Sequence, residues 1–191
     1  MRYAGFWVRA IAGLIDFIVF LPLMLLYFWA ESNSRTGTLL LVIPYYLSYA
    51  AFCIFFLAKY GKTPGKMMMK IVVTRLNGAR IGFKEALMRH SVDAIFGLIA
   101  GIGMLVAVLQ TEPTIFNSEM GWIDRNKLIS NNTPSFASVA GMLSIAWGYS
   151  ELIVLLFNKK RRAIHDFIAG TVVVHLEMAN KEDAPDQESV R

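Results

Sequence analysis

The chain has 191 residues, 55% of them hydrophobic, a net charge of +5 and a single cysteine. Its apolar residues are gathered into long runs instead of alternating with polar ones, which excludes an ordinary water-soluble domain and points to a polytopic membrane protein. Cys53 alone builds neither a disulfide framework nor a cysteine-based metal site.

Four spans are predicted. The first, residues 8–29, is long enough as helix to cross a hydrocarbon core about 30 Å thick. It is too long for a cleavable signal peptide, and no small-residue cleavage site follows it. Asp16 sits near its middle, where a carboxylate costs roughly 2.5–3.5 kcal/mol on insertion scales. Arg9 lies seven positions earlier on the same helical face, about 10 Å away along the axis. That is too far for direct pairing, so each charge needs a partner on another helix or in water. Pro22 denies the Ile18 carbonyl its donor and predicts a kink. The freed carbonyl could bind a proton donor or a cation; equally, proline is simply common in membrane helices.

The second span is residues 39–58, with Pro44 toward its outer end. The link after it is too patterned for a plain loop. Thr63-Pro64-Gly65-Lys66 leads into Met67-Met68-Met69, an apolar and basic stretch suited to the membrane interface. Residues 70–75 are β-branched, and residues 79–83 resume after Asn77-Gly78, the strongest short-range hairpin signal. A small cytoplasmic β-hairpin is therefore expected between the second and third spans.

The third span, residues 88–109, opens on Arg89, His90 and Asp93. Arg89 and Asp93 stand four apart, the spacing at which helical side chains pair, and a pin between helices is the preferred reading for them. Residues 110–135 read as an external cap with no assigned chemistry. The fourth span, residues 136–157, carries Glu151 roughly 9 Å inside its cytoplasmic end. After the basic run 159–162 comes the apolar stretch 163–171, which holds His165 and Asp166 and is too short to cross. Residues 1–178 are expected to form one four-helix transmembrane domain, all-α apart from the hairpin. Residues 179–191, charged and without aromatics, are expected to be a disordered cytoplasmic tail.

Lys59, Lys62, Lys66, Lys70, Arg75, Arg80, Lys84 and Arg89 crowd the link between spans two and three. The outer segments hold only Arg35, Arg125 and Lys127. Lysine and arginine in short flanking loops mark the cytoplasmic side, so both termini should be cytoplasmic and the protein should lie in the cell membrane. The positive charge then reflects topology and attraction to anionic lipid. No basic–aromatic module accompanies it, so nucleic acid is not an expected partner. Under this topology Arg9, Asp16, Arg89, Asp93 and Glu151 share the cytoplasmic half, and His165 and Asp166 meet it from outside.

No catalytic constellation emerges. Thr63-Pro64-Gly65-Lys66 lacks the first glycine and the hydroxyl residue of a phosphate loop. His165-Asp166 is one possible ligand pair, with His90 and His175 in unrelated contexts, so no metal centre is expected. There is no nucleophile elbow. The chain reads as a non-enzyme without cofactor.

Three blocks stand out together: Ala4-Gly5-Phe6-Trp7-Val8-Arg9-Ala10 running on to Ile15-Asp16; Lys62-Thr63-Pro64-Gly65-Lys66 with Ile71-Val72-Val73 and Asn77-Gly78; and Arg162-Ala163-Ile164-His165-Asp166-Phe167-Ile168-Ala169-Gly170-Thr171-Val172-Val173. In this order they resemble the RDD family of bacterial membrane proteins. The resemblance implies that the family's naming arginine and two aspartates are Arg9, Asp16 and Asp166, with Arg89 a further family position. The chain departs from the pattern in a Met-rich segment after Lys66 and a long external loop, and neither touches the trio.

The resemblance also implies transport, some members being linked to sodium/proton exchange. The leading expectation is a small transporter or antiporter working on Na⁺ and H⁺. Asp16 would alternate between protonated and cation-bound forms, Arg9 would guard the cytoplasmic entrance, and Asp166, held by His165, would offer a second carboxylate. Four helices are few for alternating access, so a homo-oligomer is expected. The competing expectation is a membrane adaptor or assembly factor that uses its basic cytoplasmic surface.

Overall fold

The computed structural model describes residues 2–117 and 120–176 of the chain. The tail expected at 179–191 lies outside the described residues. Four helices are long and apolar enough to cross a membrane: α1 (Phe6–Asn33), α2 (Arg35–Tyr60), α4 (Phe83–Gln110) and α6 (Ser135–Phe157). At about 1.5 Å per residue their 23 to 28 residues reach about 35–42 Å, beyond a hydrocarbon core about 30 Å thick. Large apolar side chains such as Leu14, Ile18, Leu25, Leu40, Ile95, Met142 and Phe157 are exposed along them. So much apolar surface suits lipid and not water. The protein is a multi-pass membrane protein.

α1, α2 and α4 run past the apolar spans at both ends, because their polar ends also satisfy their backbone within the helix, whereas α6 nearly coincides with its span. α1 continues through Pro22, and α2 through Pro44. Between them stand short elements, α3 (Pro64–Met68), β1 (Ile71–Arg75), a 3-10 turn (Pro113–Asn117) and α5 (Trp122–Asn131), and after α6 come α7 (Ile164–Ile168) and β2 (Thr171–His175).

The chain divides into two compact units. The first gathers Met1–Val19, Phe52–His90 and Tyr149–Arg191; the second gathers Phe20–Ala51 and Ser91–Gly148.

The first unit is organised around a two-stranded antiparallel sheet. β1 pairs with β2 in the register Ile71↔His175, Val73↔Val173 and Arg75↔Thr171. Residues near the N-terminus complete the other edge of β2, with the Ala4 N–H donating to the Val173 carbonyl (2.9 Å) and the His175 N–H to the Arg2 carbonyl (3.1 Å). Ile71, Val73 and Val173 are buried with Ala4, Ala12, Leu57, Ile81 and Ala86. β-branched residues fill such a two-sided core well, which explains why these short segments become strands among helices.

The hairpin signal at Asn77-Gly78 marks a real turn. Gly78 takes φ 84, and the Arg75 N–H donates to the Ala79 carbonyl (2.8 Å). The returning arm is shorter than the residue pattern suggests, a single bridge between Thr74 and Arg80. Gly82 ends it: its N–H donates to Glu85 Oε2 (2.8 Å), and α4 begins at Phe83. With so few residues on that side, the fully buried Val172-Val173-Val174 becomes the main partner of β1.

The second unit relies on small residues. Gly97 and Gly101 on α4 sit four apart, and a Cβ at Gly97 would come within 2.7 Å of the Tyr46 carbonyl oxygen on α2. A Cβ at Gly103 would collide with the Ala137 methyl on α6. Small residues spaced this way let membrane helices approach closely. Arginines close the helix ends: Arg125 donates to the Ser32 carbonyl (2.6 Å) of α1, and Arg35 to the Leu109 carbonyl (3.1 Å) of α4. Cations at helix C-termini satisfy carbonyls that have no partner within the helix.

Candidate functional site

All but one of the charged residues singled out from the sequence lie in the first unit. Asp93 belongs to the second unit.

Asp166 is the hub. It occupies the third position of α7, where its carboxylate reaches back to accept from the Ala163 N–H (3.0 Å), the carboxylate half of a capping box. Two arginines close on it from different helices. Arg9 Nη1 of α1 donates to Oδ2 (2.8 Å), and Arg89 Nη1 of α4 donates to Oδ1. Thr171 at the start of β2 donates its hydroxyl to Oδ1 (3.2 Å) and accepts from Arg89 Nη1 (2.9 Å). Asp166 is completely buried. Burial pushes its acid upward, but Arg89, His165 and Arg9 outweigh that and hold it well below the usual carboxylate range. Asp166 is an anion clamped between two cations.

The flanking residues fix that hub in place. Arg9 also donates to the Arg161 carbonyl through Nη2 (2.5 Å) and to the Ala4 carbonyl through Nε (3.2 Å). Arg162 donates to the Asp166 carbonyl (2.9 Å) and the Thr171 carbonyl (3.0 Å), with its guanidinium 3.9 Å from the Phe167 ring centre. It thereby ties α7 to β2 by backbone and ring contacts.

Asp16 makes a separate arrangement. The Thr63 hydroxyl donates to Oδ2 (2.5 Å) and the Gly65 N–H to Oδ1 (2.7 Å), with Lys66 Nζ 3.9 Å from Oδ2. The acid of α1 thus caps the first turn of α3, where Pro64 at the first helical position has no N–H to satisfy. Space decides the next residue. A Cβ at Gly65 would run into the Ala12 carbonyl oxygen and stand 2.9 Å from its carbon. Thr63-Pro64-Gly65-Lys66 is therefore the segment shaped to dock on the first helix at Asp16.

Between these two centres a cavity of about 270 Å³ opens, lined by Arg9, Lys66, Arg89, His90, Glu151 and His165 with apolar Phe6 and Leu152. Glu151 of α6 accepts the His165 backbone N–H at Oε1 (2.8 Å) and pairs with His165 Nδ1 at Oε2. His165 Nε2 stands 3.9 Å from Asp166 Oδ2. The imidazole therefore lies between two carboxylates, one on the cavity wall and one behind it. Burial and then Arg89 push the His165 pKa down, against the pull of Glu151 and Asp166. Burial and the repulsion of Arg89 likewise lower Lys66, with Cys53 and Asp16 opposing.

His165 also makes stability depend on pH. Its folded pKa lies below its ordinary 6.5, so as pH falls the unfolded chain takes up this proton first. Stability is then lost as pH drops through about 6.5 and levels off below the folded value. The thermal midpoint of the purified protein in detergent should fall between about pH 7.5 and about pH 5. His165→Gln should flatten that fall, whereas an unchanged slope would place the titrating group elsewhere.

Depth and spacing along the sequence place Arg9, Asp16, Arg89, Glu151, His165 and Asp166 in one region, and they lie in one unit. They do not reveal Lys66, Thr63, Thr171 or Arg162 as members. All four stand in blocks that the sequence singles out, Thr63 and Lys66 in the second and Arg162 and Thr171 in the third, but nothing there marks them as contacts of the two aspartates. The second unit holds a buried acid that the sequence also leaves unmarked, Glu31, which lies past the apolar run at the end of α1.

Compared with known proteins, the chain matches the family model described as RDD family over residues 3–170. The match contains Arg9, Asp16, Lys66, Arg89, Glu151 and Asp166 and ends just before β2. No curated protein and no solved structure matches the chain.

Proposed function

Because the chain belongs to the RDD family, we propose that this multi-pass membrane protein is a small exchanger of the cytoplasmic membrane, coupling an ion to protons through the cavity in its first unit. The observation that carries this reading is the Glu151–His165 pair on the wall of a charged cavity. A carboxylate hydrogen-bonded to an imidazole can pass a proton by small movements of either group. The cationic wall beside it supplies a place for an ion.

Asp16 takes a different role in this scheme from the one its sequence position suggests. Both of its oxygens already accept hydrogen bonds, from Thr63 and Gly65. A sodium ion there would compete with these donors, and with the nearby Lys66 ammonium, for the same two oxygens. Proton carriage therefore goes to Glu151 and His165, and Asp16 and Asp166 hold the walls in position. The exposed residues Lys59, Lys70, Arg75, Arg80, Lys84, Lys159, Lys160 and Arg161 all belong to this unit, which supports a cytoplasmic orientation for it and for the N-terminus. Four spans suit a homo-oligomer for alternating access. No enzymatic role is proposed.

The test is an ion screen in proteoliposomes. The purified protein should collapse an imposed pH gradient when one particular ion is supplied, with sodium, potassium, chloride and phosphate compared. If no ion moves protons, the exchanger reading fails and the exposed basic surface becomes the working part, as in an adaptor.

A further inference from the structure

The cavity wall is more basic than the cluster as a whole. Arg9, Lys66 and Arg89 line it, while Asp16 and Asp166 do not. The one lining carboxylate, Glu151, is tied to His165 through both oxygens. Arg162 adds a fourth cation, held by two backbone carbonyls and an aromatic ring. On the wall itself, Arg9, Lys66 and Arg89 stand against the single lining carboxylate of Glu151.

Lys66 is the least neutralised of the four lining or adjoining cations with a carboxylate nearby. Its ammonium stands 3.9 Å from Asp16 and donates to the Thr63 hydroxyl (3.2 Å). The positive charges of Arg89 and Arg9 act on it unfavourably. An anion in the cavity would relieve that repulsion. A cation would meet the wrong sign of wall.

We propose that the cavity binds a phosphate-class oxyanion, seated against Lys66, Arg9 and Arg89. Arg9 gives three of its five N–H groups to Asp166, Arg161 and Ala4; the N–H groups that remain on the two arginines, with the Lys66 ammonium, suit the several oxygens of an oxyanion better than a spherical halide. The cavity, at about 270 Å³, leaves room beyond a bare phosphate, and Phe6, Ala10, Leu152 and Leu155 make its remaining wall apolar. The same chemistry is offered by inorganic phosphate and by the phosphodiester of an anionic lipid. Either source places the oxyanion beside the Glu151–His165 pair, so the proposal rests on the exchange reading only for the steps after binding.

Binding is measured apart from transport. Equilibrium binding of radiolabelled inorganic phosphate to the detergent-purified protein should saturate at one site and weaken at least about tenfold in Lys66→Gln, which loses the charge and its charge-assisted bonds. Lys84→Gln, an exposed lysine off the cavity wall, should bind as the wild type does. Native mass spectrometry after extraction from phosphatidylglycerol-containing membranes covers the other source: one retained lipid, lost in Lys66→Gln, assigns the site to a headgroup. Lys66→Arg should restore binding in whichever arm is positive, which separates loss of charge from loss of fold. Absence of saturable binding in both arms, or equal binding by Lys66→Gln, overturns the proposal. Saturable binding without proton flux would leave this site standing and remove the exchange reading, while sodium-driven flux without anion binding would do the reverse.

Discussion

Asp166→Asn should all but abolish the folded protein. The substitution keeps size and shape, and the amide oxygen can still accept the Ala163 N–H. It removes the one charge that faces both Arg9 and Arg89, leaving a buried guanidinium (Arg89) and a partly buried one (Arg9) without that counter-ion. Two magnitudes bear on the outcome. Neutral hydrogen bonds between membrane helices average only about 0.6 kcal/mol, whereas removing one partner of a buried ion pair costs about 3–5 kcal/mol. The second governs here, because Asp166 is completely buried and Arg89 nearly so. The thermal midpoint in detergent should collapse, and little protein should accumulate in the membrane. Adding Arg9→Gln to Asp166→Asn should recover part of the loss, since one uncompensated charge is then gone. A single variant as stable as the wild type would mean that the clamp does not hold the unit together.

Gly65→Ala should be nearly as damaging, for a steric reason. Gly65 does not have positive φ, so alanine is acceptable to its backbone. The new methyl would strike the Ala12 carbonyl oxygen and lie 3.0 Å from Asp16 Cγ. Neither neighbour can give way easily, one being helix backbone and the other held by two hydrogen bonds. α3 must lift from α1, which weakens both bonds to Asp16 and leaves a buried carboxylate short of donors. Overpacking costs about 1–3 kcal/mol, and a buried acceptor stripped of its partner a further 1–3 kcal/mol or so. Gly13→Ala is the control: it lies on α1 next to Ala12, with nothing within 4 Å of the added methyl. Circular dichroism melts should show a large drop for Gly65→Ala and none for Gly13→Ala. Equal drops would point to a general intolerance of helix α1 and not to the docking of α3.

The spans were legible because their signal is local: an apolar run of the right length can be recognised without knowing its neighbours. β1 was legible for the same reason, through its β-branched residues and the Asn77-Gly78 turn. Its main partner was not. Thr171-Val172-Val173-Val174-His175 lies about a hundred residues away, and nothing in either segment announces the pairing with the other. The close approaches at Gly97, Gly103 and Gly65 were hidden similarly, because a glycine reveals its purpose only when the opposing backbone is in view.

The site was legible in its membership more than in its wiring. Depth along the spans put Arg9, Asp16, Arg89 and Glu151 at one level. It could not say that Arg9 belongs with Asp166, 157 positions away, or that Asp16 belongs with Thr63 and Gly65. Helical spacing pairs Arg89 with Asp93, but it does not announce that Arg89 reaches Asp166 and Thr171, 77 and 82 positions away. Those contacts depend on tertiary burial that spacing does not encode.

Proton carriage by the Glu151–His165 pair is tested most closely by the proton flux of Glu151→Gln. Wild-type and variant proteins, matched for folded amount by thermal midpoint, would be reconstituted side by side under the same pH gradient and driving ion. The variant should remain folded and move no protons, and Glu151→Asp should regain part of the flux. Undiminished proton movement by Glu151→Gln would contradict proton carriage by this pair.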